Sequence, residues 1–115
     1  MPHLTAKLTT IEQKALQEFK DKLTKKFGSN LVSLKLFGSK ARGDFHEESD
    51  LDVLVIIKNL SRKDKDWIIS TAYGLLLKYN GINISPRIYS EKTWKYYISL
   101  PLSFTYIAEK EGVKL

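Results

Sequence analysis

The chain has 115 residues, 43% of them hydrophobic and 28% charged, which excludes general disorder and leaves no room for a separate substrate-binding domain. It contains no cysteine, which excludes disulfides and thiolate metal sites, and its longest apolar runs, such as Val53 to Ile57, fall far short of a membrane span. The net charge of +6 is unevenly spread: residues 1–43 carry nine basic and three acidic side chains, residues 44–52 five acidic and no basic, and residues 53–115 ten basic and five acidic. The first residues hold no apolar run of the kind that opens a signal peptide, so one cytoplasmic domain over residues 1–115 is expected. The scattered lysines read best as solvated surface, so direct binding of nucleic acid is not the favoured use of this charge.

Thr9 and Glu12 form a T-x-x-E capping box that should start a helix. Ile11, Ala15, Leu16, Phe19, Leu23 and Phe27 follow at helical spacing, and Gly28 supplies the stop. Leu31 to Phe37 alternates as a strand, with Val32, Leu34 and Leu36 set against Ser33 and Lys35. Gly38 and Ser39 end it, with space for one helical turn before the next strand. That strand, Leu51 to Ile57, is so apolar that both its faces should be covered. Ser61 and Asp64 repeat the capping signature before a helix to about Tyr79, with Trp67, Ile68, Thr71, Leu75 and Lys78 or Tyr79 along one side. Asn80-Gly81 terminates it. Ile82 to Tyr89 reads as a third strand, and Pro86, which cannot donate to a ladder, places it at a sheet edge or at a bulge. Ser90 caps a short helix through about Ile98, and Pro101 opens a last helix that closes near Gly112. The expected fold is α/β (α+β): a small mixed sheet of three or more strands covered by helices, in the order α-β-β-α-β-α-α. Tyr89, Trp94, Tyr96, Tyr97, Phe104 and Tyr106 concentrate in the C-terminal region, where packing of helices on the sheet accounts for most of them.

The stretch LFGSKARGDFHEESDLDVLV, residues 36–55, carries the chemistry. Gly38 lacks a Cβ, so the backbone can turn sharply and a phosphate can approach closely. Ser39 is placed to cap a short helix through Ala41 to Gly43, and the free N–H groups of that turn would favour an anion. Lys40 and Arg42 add positive charge, and Arg42 can grip phosphate with two parallel bonds. Asp50 and Asp52 stand two apart at a strand start, so both carboxylates project to one side with Cα atoms about 7 Å apart. Carboxylates this close repel unless a cation sits between them. Magnesium takes hard oxygen ligands, one or two carboxylates with substrate phosphates completing its shell. The acids thus offer the metal half of a site whose phosphate half is the Gly-Ser turn, and the combination points to phosphoryl or nucleotidyl transfer. Asp44, Glu47, Glu48 and His46 read as a solvated loop.

Gly38-Ser39, ten intervening residues and Asp50-Leu51-Asp52 reproduce the pattern G-S-x10-D-x-D, with Ala41, Arg42, Gly43 and Ser49 at further matching positions. In these residues the chain resembles the polymerase-beta-like nucleotidyltransferases, and above all their minimal members, which are about this long and are often encoded beside a HEPN-domain protein. The resemblance implies a nucleotidyltransferase-like fold and transfer of a nucleoside monophosphate, AMP from ATP, with Mg2+ or Mn2+ held by the catalytic Asp50 and Asp52. It implies nucleotide binding by Gly38, Ser39, Lys40 and Arg42. It also implies a HEPN-domain toxin as partner, with this chain as antitoxin; an oligomer is compatible with the sequence. The family pattern has a third carboxylate on a later strand, but residues 81–90 contain no acid and offer Asn83, Ser85 and Arg87 on one face. Two readings follow. One is an enzyme that nucleotidylates a protein hydroxyl. The other is a weak or inactive nucleotide-binding antitoxin that neutralises its partner by complex formation; Arg87 either contacts substrate or pairs with Asp50 or Asp52 in place of a metal, and the pairing would point to an inactive site. Nucleotidylation of a small molecule is the weaker reading, since 115 residues are not expected to include a separate domain to hold the acceptor.

Overall fold

The computed structural model describes residues 8–38, 50–100, 110 and 112–115. Helix α1 (Thr10–Phe27) begins at the expected capping box: Thr9 Oγ1 accepts from the Glu12 N–H at 3.1 Å, and Glu12 Oε1 accepts from the Thr9 N–H at 2.9 Å. Gly28, at φ 54°, caps its other end. The buried stripe is Ala15, Leu16, Phe19, Leu23 and Phe27. Ile11, expected on this stripe, is 53% exposed, while Glu12 is buried. Ile11 lies on the stripe's margin, and the capping box turns position 12 inward.

Strand β1 (Leu31–Phe37) pairs antiparallel with β2 (Leu51–Ile57). Helix α2 (Arg62–Lys78) starts at a second reciprocal box between Ser61 and Asp64. It leads to β3 (Ile84–Ser90), which runs parallel to β2. β3 begins at Ile84 rather than Ile82. Helix α3 (Glu91–Ile98) follows with Ser90 as its cap. A short β4 (Val113–Lys114), not expected from the sequence, pairs antiparallel with β1. The proposed last helix from Pro101 falls almost wholly outside the described residues. The sheet order is β3-β2-β1-β4, so β2 is internal and β3 is at an edge, where Pro86 leaves no needed donor missing.

Alternation along the strands divides the core. Leu34, Leu36, Leu51, Val53, Val55, Ile57, Ile84 and Ile88 pack with α1 and α2 on one face. Phe37, Leu54 and Ile56 pack with Trp94 of α3 on the other, with Tyr89 against them at 5.2 Å from Trp94 between ring centroids. Both faces of β2 are therefore covered, as its uninterrupted apolar run requires. The inward residues of α2 are Ile68, Ala72 and Leu75. Trp67 instead meets α1, edge-on to Phe27 at 5.7 Å, and Lys78 reaches Glu18 of α1 at 2.7 Å. The stripe expected along α2 thus mixes its core side with its α1 side. Among the described residues no helix is long and apolar enough to cross a membrane.

Candidate active site

The strand directions bring three chain segments to one end of the sheet. β1 is antiparallel to β2, so its last residue, Phe37, lies opposite Asp52. β3 is parallel to β2, so its beginning lies beside the beginning of β2, with Asp52 opposite Ser85 and Leu54 opposite Arg87. Gly38, Asp50, Asp52, Asn83 and Ser85 consequently converge there. Asp52 alternates with Leu51 and Val53, so it faces the α3 side of the sheet, in line with Leu54 and Ile56.

Gly38 follows β1 with φ +78°, a conformation that L side chains rarely adopt. A Cβ placed on it would lie 2.7 Å from Asp52 Oδ2. The sequence expects this glycine to let a phosphate approach. The structure adds that it gives the Asp52 carboxylate its room.

Asp50 is exposed and accepts a hydrogen bond from Asn83 Nδ2 at 2.9 Å. The backbone reinforces this contact, because the Leu51 N–H donates to the Asn83 carbonyl at 2.9 Å. Asp52 is half-buried. Burial pushes its carboxyl above the usual aspartate range, the Asp50 charge adds to the rise, and the Arg87 guanidinium opposes it. The pair therefore concentrates negative charge that Arg87 offsets only in part, and a divalent cation would relieve it further. Among the described residues no group of three or more His, Cys, Asp or Glu side chains gathers. Two carboxylates fit magnesium when phosphate oxygens and water complete the shell.

Of the residues expected to form the site, Gly38, Asp50 and Asp52 are brought together. Ser39, Lys40 and Arg42 lie outside the described residues, as do Asp44, His46, Glu47 and Glu48. One face of β3 carries Ser85 and Arg87 as the alternation indicates, while Asn83 precedes the strand and meets Asp50. The role of Asn83 as the partner of Asp50 is not foreseen in the sequence; its parity with Ser85, on a strand alongside β2, is the available signal. A groove of about 410 Å³ between α1 and α2, lined by Glu18, Lys22, Trp67, Thr71, Gly74, Leu75 and Lys78, belongs to the opposite face of the sheet and takes no part in this arrangement.

Residues 16–100 match the nucleotidyltransferase domain family. Two proteins of Methanocaldococcus jannaschii, each named "Putative protein adenylyltransferase", are similar to the chain. One is 39% identical over 101 residues, 87% of this chain and 94% of that protein. The other is 41% identical over 81 residues, 70% of this chain and 76% of that protein. A crystal structure described as a putative nucleotidyltransferase from Sulfolobus solfataricus superposes with a TM-score of 0.52 at 19% identity, over 96% of this chain and 89% of that one, which speaks for the fold alone.

Proposed function

Because the chain belongs to the nucleotidyltransferase domain family and is a minimal nucleotidyltransferase enzyme, we propose that it transfers AMP from ATP to a hydroxyl of a partner protein, acting as antitoxin to a HEPN-domain toxin. The observation that carries the reading is the half-buried Asp52, which feels the charge of Asp50 and whose carboxylate has room because residue 38 is a glycine. The adenylyltransferase names of its relatives support the choice of AMP and of a protein acceptor. In this reading Asp50 and Asp52 hold Mg2+ or Mn2+, while Gly38, Ser39, Lys40 and Arg42 hold the phosphates. When bound, the cation supplies charge neutralisation at the phosphates. Asn83 orients Asp50 through its amide. The acceptor oxygen bonds to the α-phosphorus, the bond from that phosphorus to the α–β bridging oxygen breaks, pyrophosphate leaves, and the hydroxyl proton passes to solvent or to a group of the partner. Positioning and neutralisation are the chain's contribution to such a step.

A second reading, neutralisation of the partner by complex formation alone, is favoured by the side chains beside Asp52 on β3. They are Ser85 and Arg87, not a carboxylate that could serve as base. General-base assistance is worth roughly 10²–10⁴ in rate, so the isolated chain should be slow. The test is incubation of the chain with its HEPN partner, magnesium and ATP labelled at the α-phosphate. Label on a hydroxyl-bearing side chain of the partner, located by peptide mass spectrometry, is the expected result. A tight complex with no transfer selects the second reading. Fast transfer by the chain alone to a free small-molecule acceptor sinks both.

A further inference from the structure

We propose that a second copy of this chain docks on the exposed face of α2, giving a two-fold dimer in which the two α2 helices lie antiparallel and the Tyr73 side chains meet at the axis. The proposal does not rest on the function proposed above. Residues 67–77, WIISTAYGLLL, hold no charged side chain in a chain that is 28% charged. Ile68, Ala72 and Leu75 of this stretch are buried. Ile69, Tyr73 and Leu77 are 49%, 60% and 67% exposed, and four-residue steps set them along one face of the helix. The solvent face of a surface helix ordinarily carries polar and charged residues. This one is apolar for about two turns. Side chains of this size, exposed to this degree, form a patch on the order of 400 Å², within the range that marks interaction sites. A stable interface takes about 800 Å² from each partner, so the ends of the helix take part as well.

The order of residues on this face suits the same face of another copy. A two-fold interface requires a surface to fit its own reverse. Ile69 and Leu77 lie four residues either side of Tyr73, so antiparallel helices set Ile69 against the partner subunit's Leu77. Asp66 and Asn80, both exposed, lie seven residues either side, so a carboxylate acceptor comes opposite an amide donor at each end. Charge selects the same arrangement. The chain carries +6, and the basic Arg62, Lys63 and Lys65 at the start of α2 would repel in a parallel pair. In the antiparallel pair the two helix starts lie roughly 30 Å apart at 1.5 Å per residue, several Debye lengths at physiological salt. The helix dipoles also oppose one another there. With no charge between residues 67 and 77, this face has nothing to select an acidic or a basic partner. α2 packs on the face of the sheet away from Asp52, so pairing leaves both carboxylate sites open.

Sedimentation equilibrium over a range of concentrations should show a reversible monomer–dimer equilibrium. Tyr73→Lys puts two like charges at the axis and should raise the dissociation constant at least about tenfold, with an unchanged circular dichroism spectrum. Ile69→Glu and Leu77→Lys should each weaken the dimer. The two together should recover part of the loss, because the new acid of one subunit faces the new base of the other. The chain has no cysteine, so Tyr73→Cys should give a cross-linked dimer with a short bismaleimide, whereas Lys92→Cys on α3 should not. Wild type that stays monomeric at every concentration overturns the proposal, as does a dimer that Tyr73→Lys leaves unmoved. No recovery in the double variant overturns the antiparallel register. A monomeric wild type whose capture of a different protein is lost in Tyr73→Lys also overturns self-association and gives the face to that protein. The wild-type mass and the cross-link decide the matter even if a charged variant folds poorly.

Discussion

Gly38 and Asp52 are so close that no other residue can replace the glycine without displacing the carboxylate, since a Cβ at residue 38 would meet Asp52 Oδ2 at 2.7 Å. Two penalties fall on Gly38→Ala. The positive φ costs a non-glycine residue about 1–2 kcal/mol, and the methyl group must displace the Asp52 carboxylate. The variant should unfold at lower denaturant by about that amount. Its affinity for magnesium–ATP should fall further than the stability loss explains, because the carboxylates no longer project together. Wild-type affinity measured by calorimetry would show that Asp52 can shift without consequence.

Asp52→Asn should stabilise the protein without ligand at neutral pH and remove the stabilisation that magnesium–ATP confers. Burial and Asp50 raise the Asp52 carboxyl above its usual range. The folded state therefore holds its proton to higher pH than the unfolded state does. Stability is highest below the unfolded value, about 3.9, and declines as pH rises to the elevated folded value. The gain from Asp52→Asn should accordingly be present at pH 7 and vanish near pH 3, as thermal melts across that range would show. A ligand at a hundredfold excess over its dissociation constant adds about 2.7 kcal/mol, and the variant should lack most of that increment.

The Glu18 link between α1 and α2 predicts the opposite pH behaviour. Hydrogen bonds from Lys78 at 2.7 Å and from Tyr79 at 2.8 Å hold the Glu18 carboxyl below its ordinary value. A depressed carboxyl stabilises the fold above its unfolded value, about 4.3. That contribution is lost as pH falls through the lower folded value. Wild type should therefore exceed Glu18→Gln in stability at pH 7, and the difference should shrink in acid. It should also shrink in high salt, since Lys78 is mostly exposed and screening is strong there. A difference that survives both acid and salt would assign the effect to packing.

Gly74→Ala is expected to stabilise. The residue lies within α2, and a Cβ there would meet nothing within 4 Å. Alanine gains about 0.5–1 kcal/mol over glycine inside a helix, enough to raise the melting midpoint by a few degrees. Nucleotide affinity should not change, because α2 covers the face of the sheet away from Asp52. A lower midpoint would mean that the groove beside Gly74 is needed open in the native state.

Elements governed by neighbours in the chain are legible in the sequence itself. Thr9 with Glu12 and Ser61 with Asp64 mark two helix starts because a capping box is completed within one turn. Leu51–Ile57 announces a strand covered on both faces through composition alone, and Pro86 announces an edge because it lacks a donor. The spacing from Gly38 to Asp50 and Asp52 is also legible, as is the face shared by Ser85 and Arg87.

What only the tertiary structure decided depends on strand direction and register. That β1 runs antiparallel to β2 puts Phe37 opposite Asp52, and so sets Gly38 against its carboxylate. That β3 runs parallel to β2 puts Asn83 within reach of Asp50 and sets Ser85 and Arg87 on the face of Asp52. β4 is too short, at Val113–Lys114, to leave a periodic signal, and exists because β1 offers it an open edge. Ile11 has the residue type of a core position, yet Glu12 takes the inward place because its carboxylate is satisfied by the cap. Local sequence specifies what each segment can bury or bond, but pairings between distant segments follow from which strands meet and in which direction, and a one-residue slip would turn Asp52 to the other face.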